Sequence, residues 1–367
     1  MSDLYIGLMS GTSADGIDAT LSEISETNIN VIAHLEVPHP QSLRQQIIDL
    51  CAPGDNEIER LGRLDQQLGR AFADAANALL DRAKVTPEQV TAIGSHGQTI
   101  RHRPNGDDKF TLQIADPNQI AQGTSITTVA DFRRRDMAVG GEGAPLAPAF
   151  HQAAFSCEGK NRVVVNIGGI SNVTLLEGKQ LTAGFDTGPG NGLMDGWIKR
   201  HKQVNYDHNG DWAYQGRVDT PLLQQLLQHP FLSKASPKST GREDFHLDWL
   251  DGQLNTLDYP PSPVDVQATL LEYTAQTIHQ QIEQMNKAID DIYICGGGAL
   301  NKALMTRLQQ LSRCSLTDTS AMGVEPQQVE GAAFGWLAHQ TLARASGNCP
   351  AVTGAQRAVI LGGIYYA

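Results

Sequence analysis

"GLMSGTSADGID", Gly7 to Asp18, places three glycines, three hydroxyl residues and two aspartates in one short connection. Strand-like sequence flanks it on both sides. A plain hairpin needs only two turn residues, such as Asn-Gly, so this turn is built for more than reversing the chain. Backbone N–H groups in a concave row make a nest for phosphate oxygens, and glycine lets a ligand come close because it has no Cβ. The hydroxyls of Ser10, Thr12 and Ser13 add donors. Asp15 and Asp18 are too much negative charge for a bare phosphate site. They suit phosphates accompanied by a divalent cation such as Mg²⁺, which is held by one or two carboxylates, water and the phosphates themselves. Taken alone, the stretch reads equally well as a flexible loop with aspartate as turn former.

Outward from this turn, residues 4–9 read as a strand, and Ile17, Ala19 and Leu21 alternate with polar residues as a half-buried second strand. Ile29, Val31, Ala33, Leu35 and Val37 fall on one face of a third. Ile58, Leu61, Leu64, Leu68, Phe72, Ala75 and Leu79 recur at helical spacing. "VTAIGSHGQT" (90–99) is then an apolar strand ending in a Gly-rich turn. The second half repeats the order. "RVVVNIGGISNVTLLE" (162–177) and "QLTAGFDTG" (180–188) give three strands. A helical stripe of Leu270, Tyr273, Thr277, Ile278 and Ile282 follows, then "DDIYICGGGAL" (290–300) and the helix at 300–311. Each half reads β-β-β-α-β, which predicts an α/β protein made by duplication. Ligands of open α/β sheets bind beyond the carboxyl ends of the strands, so both hairpin turns are expected to face one interdomain cleft.

The expected domains are 1–145 and 146–344, with 345–367 packing back on the first. Residues 202–262, rich in Pro, Asn, Asp and Gln, read as an insertion; "LLQQLLQ" (222–228) within it is ordinary amphipathic helix. A formal charge of −12 argues against a nucleic-acid binder. Five widely spaced cysteines without a C-x-x-C point to reduced thiols. The sequence shows neither a signal-peptide pattern nor an apolar run of membrane-spanning length. A cytoplasmic protein with no membrane partner is expected, and a homodimer is left open.

One Gly-rich turn is a weak signal, but "NIGGISN" (166–172), "DTGPGNG" (186–192) and "CGGGALN" (295–301) add three more after strands. There is no G-x-x-x-x-G-K-[ST], and no G-x-G-x-x-G opens a helix in an N-terminal βαβ unit. A nucleotide site here is therefore neither a P-loop nor a Rossmann site. Scattered His and Cys lack metal-ligand spacing, and Ser13 lacks a G-x-S-x-G context.

The set resembles the acetate and sugar kinase/actin-like ATPase superfamily, in which two ribonuclease-H-like domains clasp MgATP. "GLMSGTSADGID" looks like its first phosphate motif, "VVNIGGISNVT" the second, "IYICGGGALN" the adenosine motif and "VEGAAFGWLAH" (329–339) the hinge helix. Many members carry an acidic residue where this chain has Asn166. "MSGTSADGID", "GSHGQTIRH", "DFRRRDMAVGGEGAPLAPAFH", "NIGGISNVT", "GFDTGPGN" and "VEGAAFGWLA" together resemble the anhydro-N-acetylmuramic acid kinase family over essentially the whole chain. That resemblance implies an ATP-dependent enzyme of bacterial cell-wall recycling. Such an enzyme opens 1,6-anhydro-N-acetylmuramic acid with water and phosphorylates O6. Two readings compete with it: another small-molecule kinase of the superfamily, and an actin- or chaperone-like ATPase switch.

The resemblance implies nucleotide contacts at Gly11, Thr12, Ser13, Ala14, Asp15, Gly16, Ile17 and Asp18 of the first turn. Gly168, Gly169, Gly188, Gly190, Asn191, Gly296, Gly297 and Gly298 would supply the rest. Asp186 is the expected base for the water, and Asp15 and Asp186 would hold Mg²⁺ through water. The plainer reading of Asp186 is a helix N-cap or turn residue. Arg133, Arg134 and Arg135 form the strong basic cluster. A guanidinium fork matches the sugar's lactyl carboxylate, and Arg134 is the expected contact. Asp131 would take sugar hydroxyls or pair an arginine. Gln98, Thr99 and Glu330 complete the substrate set, with His96 either orienting substrate or serving as a structural histidine.

Overall fold

A computed structural model describes residues 3–11, 13–25, 28–236, 238–241 and 243–367. The chain forms two compact units. One holds the residues up to Ala154 together with Gln328–Ala367, and the other is Phe155–Gln327.

The first unit is built on a seven-stranded sheet. Strands β1 (Asp3–Ser10), β2 (Gly16–Ile24) and β3 (Ile29–Pro38) form an antiparallel meander. β4 (Val90–Arg103) lies parallel to β1 on its other side, and β6 (Thr128–Ala130) lies parallel to β4. β5 (Phe110–Ile114) pairs β4, and the C-terminal strand Gly363–Tyr365 closes the edge against β6. The helix Glu57–Ala83 buries Leu64, Leu68, Phe72, Ala75 and Leu79 on one face of this sheet. Ile58, the first residue of the stripe read from the sequence, lies in the opening turn and is exposed instead.

The second unit repeats the plan in a five-stranded sheet. β7 (Asn161–Ile167), β8 (Ile170–Glu177) and β9 (Gln180–Pro189) form the meander. β10 (Asp291–Cys295) runs parallel to β7, and β11 (Ser315–Asp318) runs parallel to β10. The first sheet runs β3-β2-β1-β4-β6 before the C-terminal strand, with β5 off this path, and the second runs β9-β8-β7-β10-β11; the two share one five-strand order, the ribonuclease-H-like one. The fifth strand is the part the β-β-β-α-β pattern lacked. At three and four residues, β6 and β11 are too short to show a period.

Two boundaries differ from those expected. The first unit runs on to Ala154, because the helix Ala147–Phe155 falls largely within it. The helix Val329–Leu342 also belongs there, not to the second unit. It docks at backbone contact: a Cβ on Gly7 would overlap the carbonyl oxygen of Gly331, and one on Gly94 would overlap that of Phe334. Glycine at those two strand positions is what lets the helix lie so close.

Residues 202–262 are woven into the second unit. Trp212, Leu222, Leu226, Phe231, Phe245 and Leu250 are all buried in its core, beside the helix Pro263–Gln284. No helix among the described residues is long and apolar enough to cross a membrane.

Candidate active site

In the first unit, the carboxyl edge of the sheet gathers the chemistry. β1 ends there, with Gly11 just beyond it, and Ser10 pairs Gln98 in the β1–β4 register. Gln98 is buried. Its Oε1 accepts from Ser10 Oγ at 2.6 Å, and its Nε2 donates to the Gly11 carbonyl at 3.1 Å. Gln98 thus braces the mouth of the turn. Thr99 accepts a bond from Gln113 Nε2 at 3.1 Å. Ala14 takes a positive φ of 52° and packs into the core. Asp15 Oδ1 accepts from Arg44 Nε at 3.1 Å. Ile17 is buried, so only its backbone can serve a ligand. Thr12 lies outside the described residues.

Arg133, not Arg134, is the arginine drawn inward. Its Nε and Nη2 reach His96 Nε2 at 3.0 and 2.9 Å, and Nη1 donates to the Gly143 carbonyl at 2.8 Å. A guanidinium has no acceptor, so His96 Nε2 must carry a lone pair. The proton then sits on Nδ1 and is donated to the Gly97 carbonyl at 2.9 Å. Burial, then the Arg133 charge, holds the His96 pKa well below its usual value, so the ring is neutral. Burial likewise lowers Arg133 to about 10, with Glu330 and Asp136 acting in the opposite direction. Arg134 is 66% exposed and pairs Asp131 at 2.7 Å.

Glu330 opens the helix Val329–Leu342, and its charge reaches a second acid. Asp18, on β2 opposite Glu36, is pushed up to about 7 by burial and by the Glu36 and Glu330 carboxylates. His34 stands 3.8 Å from it, anchored by Thr20 at 3.1 Å.

The second unit makes its own cluster at the equivalent edge. The Gly168–Gly169 turn joins β7 to β8. Its carbonyls accept from the amides of Gly190, Asn191 and Gly192 at 3.0, 2.7 and 3.1 Å. The Gly190 and Asn191 amides therefore brace the hairpin. Gly296, at φ 78°, packs against Asn166, and Gly298 packs against Ile167; Gly297 between them is exposed. Asn301 caps the helix that follows. Gly188 is buried near the end of β9.

Asp186 lies two residues earlier on β9, opposite Asn172. It is neither a helix cap nor a turn residue. Its Oδ2 accepts from Ser239 Oγ and from the Thr240 amide, both at 2.9 Å.

A family model described as anhydro-N-acetylmuramic acid kinase matches residues 3–367. The chain belongs to the anhydro-N-acetylmuramic acid kinase family. It is 48% identical over 366 residues to the "Anhydro-N-acetylmuramic acid kinase" of Saccharophagus degradans, covering 99% of this chain and 98% of that one. It is 50% identical over 365 residues to the protein of that name in Shewanella oneidensis, with the same coverage. Among solved structures, component A of (R)-2-hydroxyglutaryl-CoA dehydratase from Acidaminococcus fermentans aligns with a TM-score of 0.50 at 11% identity. That alignment covers 93% of this chain and 99% of that one and shows the fold alone.

Membership in this sugar kinase family implies ATP as phosphoryl donor. Two sets of residues near the site carried little or no signal in the sequence. Asp136 is fully buried and accepts from Gly143 N, Asn348 Nδ2 and Thr353 Oγ1, tying the "GGEG" turn to the C-terminal segment. Phe132 and Asp136, buried four residues apart, were the available sign that one face of "FRRRD" points inward. Ser239 and Thr240 gave none, since 53 residues separate Ser239 from Asp186.

Proposed function

We propose that the chain converts 1,6-anhydro-N-acetylmuramic acid, ATP and water into N-acetylmuramic acid 6-phosphate and ADP. The observation that carries this reading is Asp186, a carboxylate near the end of the third strand of the second sheet, beside the Gly-rich hairpin turn of its own unit. A water molecule attacks C1 and gives its proton to Asp186. The C1–O6 bond breaks, and the O6 electron pair forms the new bond to the γ-phosphorus. The bond from that phosphorus to the β–γ bridging oxygen breaks, and its electron pair leaves on ADP.

Among the described residues, no three His, Cys, Asp or Glu side chains converge as a metal cage. That donor set suits Mg²⁺ carried in with the nucleotide and held mainly by phosphate and water. Asp15 and Asp186 would hold it through water, and it would neutralise phosphoryl charge. The Gly11–Gly16 turn, with Gly168, Gly169 and Gly297, would cradle the phosphates and adenosine. Arg133, placed beside His96 and Glu330, is better situated than Arg134 to meet the lactyl carboxylate. Among the described residues no disulfide joins the cysteines, which supports the cytoplasm as the working compartment.

Coupled ADP release with MgATP and a panel of sugars tests this. Turnover is expected with the anhydro-sugar alone. Asp186→Asn should lower kcat by roughly 10²–10⁴-fold with nucleotide binding intact. Turnover of plain hexoses without the anhydro form, or a near-normal Asp186→Asn enzyme, overturns it.

A further inference from the structure

Within residues 202–262, one short segment meets the proposed base. Among the described residues, three consecutive ones, Lys238, Ser239 and Thr240, each hydrogen-bond Asp186. Its own amide donates to the Lys238 carbonyl at 3.0 Å, and its Oδ2 accepts from Ser239 Oγ and from the Thr240 amide. The segment is itself pinned at both ends. Lys238 is buried, and its Nζ donates to the carbonyls of Phe231 and Leu232 at 3.3 and 3.1 Å. That ammonium also lies 4.8 Å from the centre of the Phe231 ring. On the far side, Thr240 Oγ1 donates to Asp244 Oδ2 at 2.6 Å.

We infer that residues 238–240 are a clamp that aims Asp186, with Ser239 as a positioning residue for the water-activating step. This rests on Asp186 being the base. A carboxylate on a strand end retains side-chain rotation about two bonds. Two donors converging on one oxygen remove that freedom and fix the direction of the other oxygen. A base misplaced by about 1 Å can cost a hundredfold in rate. The clamp's side-chain bonds run to Asp186, Phe231, Leu232 and Asp244 and to none of the glycines read as nucleotide contacts, so loss of Ser239 Oγ is expected to leave nucleotide binding intact. Ser239 is solvent-exposed, so its removal leaves the core intact.

The test compares Ser239→Ala, Ser239→Thr, Asp186→Asn and the Ser239→Ala/Asp186→Asn pair, assayed with MgATP and 1,6-anhydro-N-acetylmuramic acid. Ser239→Ala should lower kcat about tenfold or more, the worth of a hydrogen bond to a charged group. Its KM for ATP should stay at the wild-type value. Ser239→Thr, which keeps a hydroxyl, should recover most of the loss. Adding Ser239→Ala to Asp186→Asn should cost nothing further, because Ser239 acts only through that carboxylate. A wild-type kcat in Ser239→Ala beside an inactive Asp186→Asn overturns the clamp and leaves the base standing. Near-normal turnover in Asp186→Asn overturns the base, and the clamp with it.

Discussion

Asp18 shows how a residue's neighbours can invert its ordinary behaviour. A lone carboxylate on a strand would be ionised far below neutral pH, yet burial and two nearby acids raise Asp18 to about 7. An acid with a raised folded-state pKa binds more protons folded than unfolded, so stability falls as pH rises. The window runs from its unfolded value near 3.8 to about 7. Asp18→Asn should abolish that slope. Thermal melts at pH 4.5 and pH 8 are expected to show the variant gaining Tm over wild type only at the higher pH. A constant difference at both would show that Asp18 is not the group that titrates.

At the scale of elements, the strands of both meanders and the long helices were legible because alternation and the 3.6-residue stripe act on many residues at once. Leu270, Tyr273, Thr277, Ile278 and Ile282 are all buried on the helix Pro263–Gln284. Two things were not legible. β6 and β11 exist through parallel pairing with β4 and β10, not through a pattern of their own. The helix Val329–Leu342 is apolar nearly all round, so nothing in its sequence says which sheet it joins. Its partner is set by shape, through Gly7 and Gly94. Gly7→Ala should force this helix off β1 and cost about 3 kcal/mol, the scale of overpacking a close contact. A denaturant melt reads this directly; an unchanged midpoint would mean that the helix yields freely at that contact.

The same division holds for the site. The Gly-rich turns stood out because four of them follow strands, and Asp186 stood out through the resemblance of "GFDTGPGN" to the family. The inward turn of Arg133 and the three bonds from 238–240 to Asp186 depend on contacts between distant segments, which no local pattern records. His96 was read both ways, and its place beside Arg133, which it holds as a neutral acceptor, is a contact of this kind.

For the whole molecule, two sheets share one order of their main strands, and Asp186 lies near the end of the third strand of the second. A base there suits chemistry in which solvent oxygen goes to C1 and the sugar's own O6 goes to phosphorus. Turnover in ¹⁸O-water followed by ³¹P NMR of the sugar phosphate measures where the new oxygen ends. An ester resonance with no isotope shift is expected, every phosphate oxygen having come from ATP or from O6. An ¹⁸O-shifted ester resonance would contradict this chemistry.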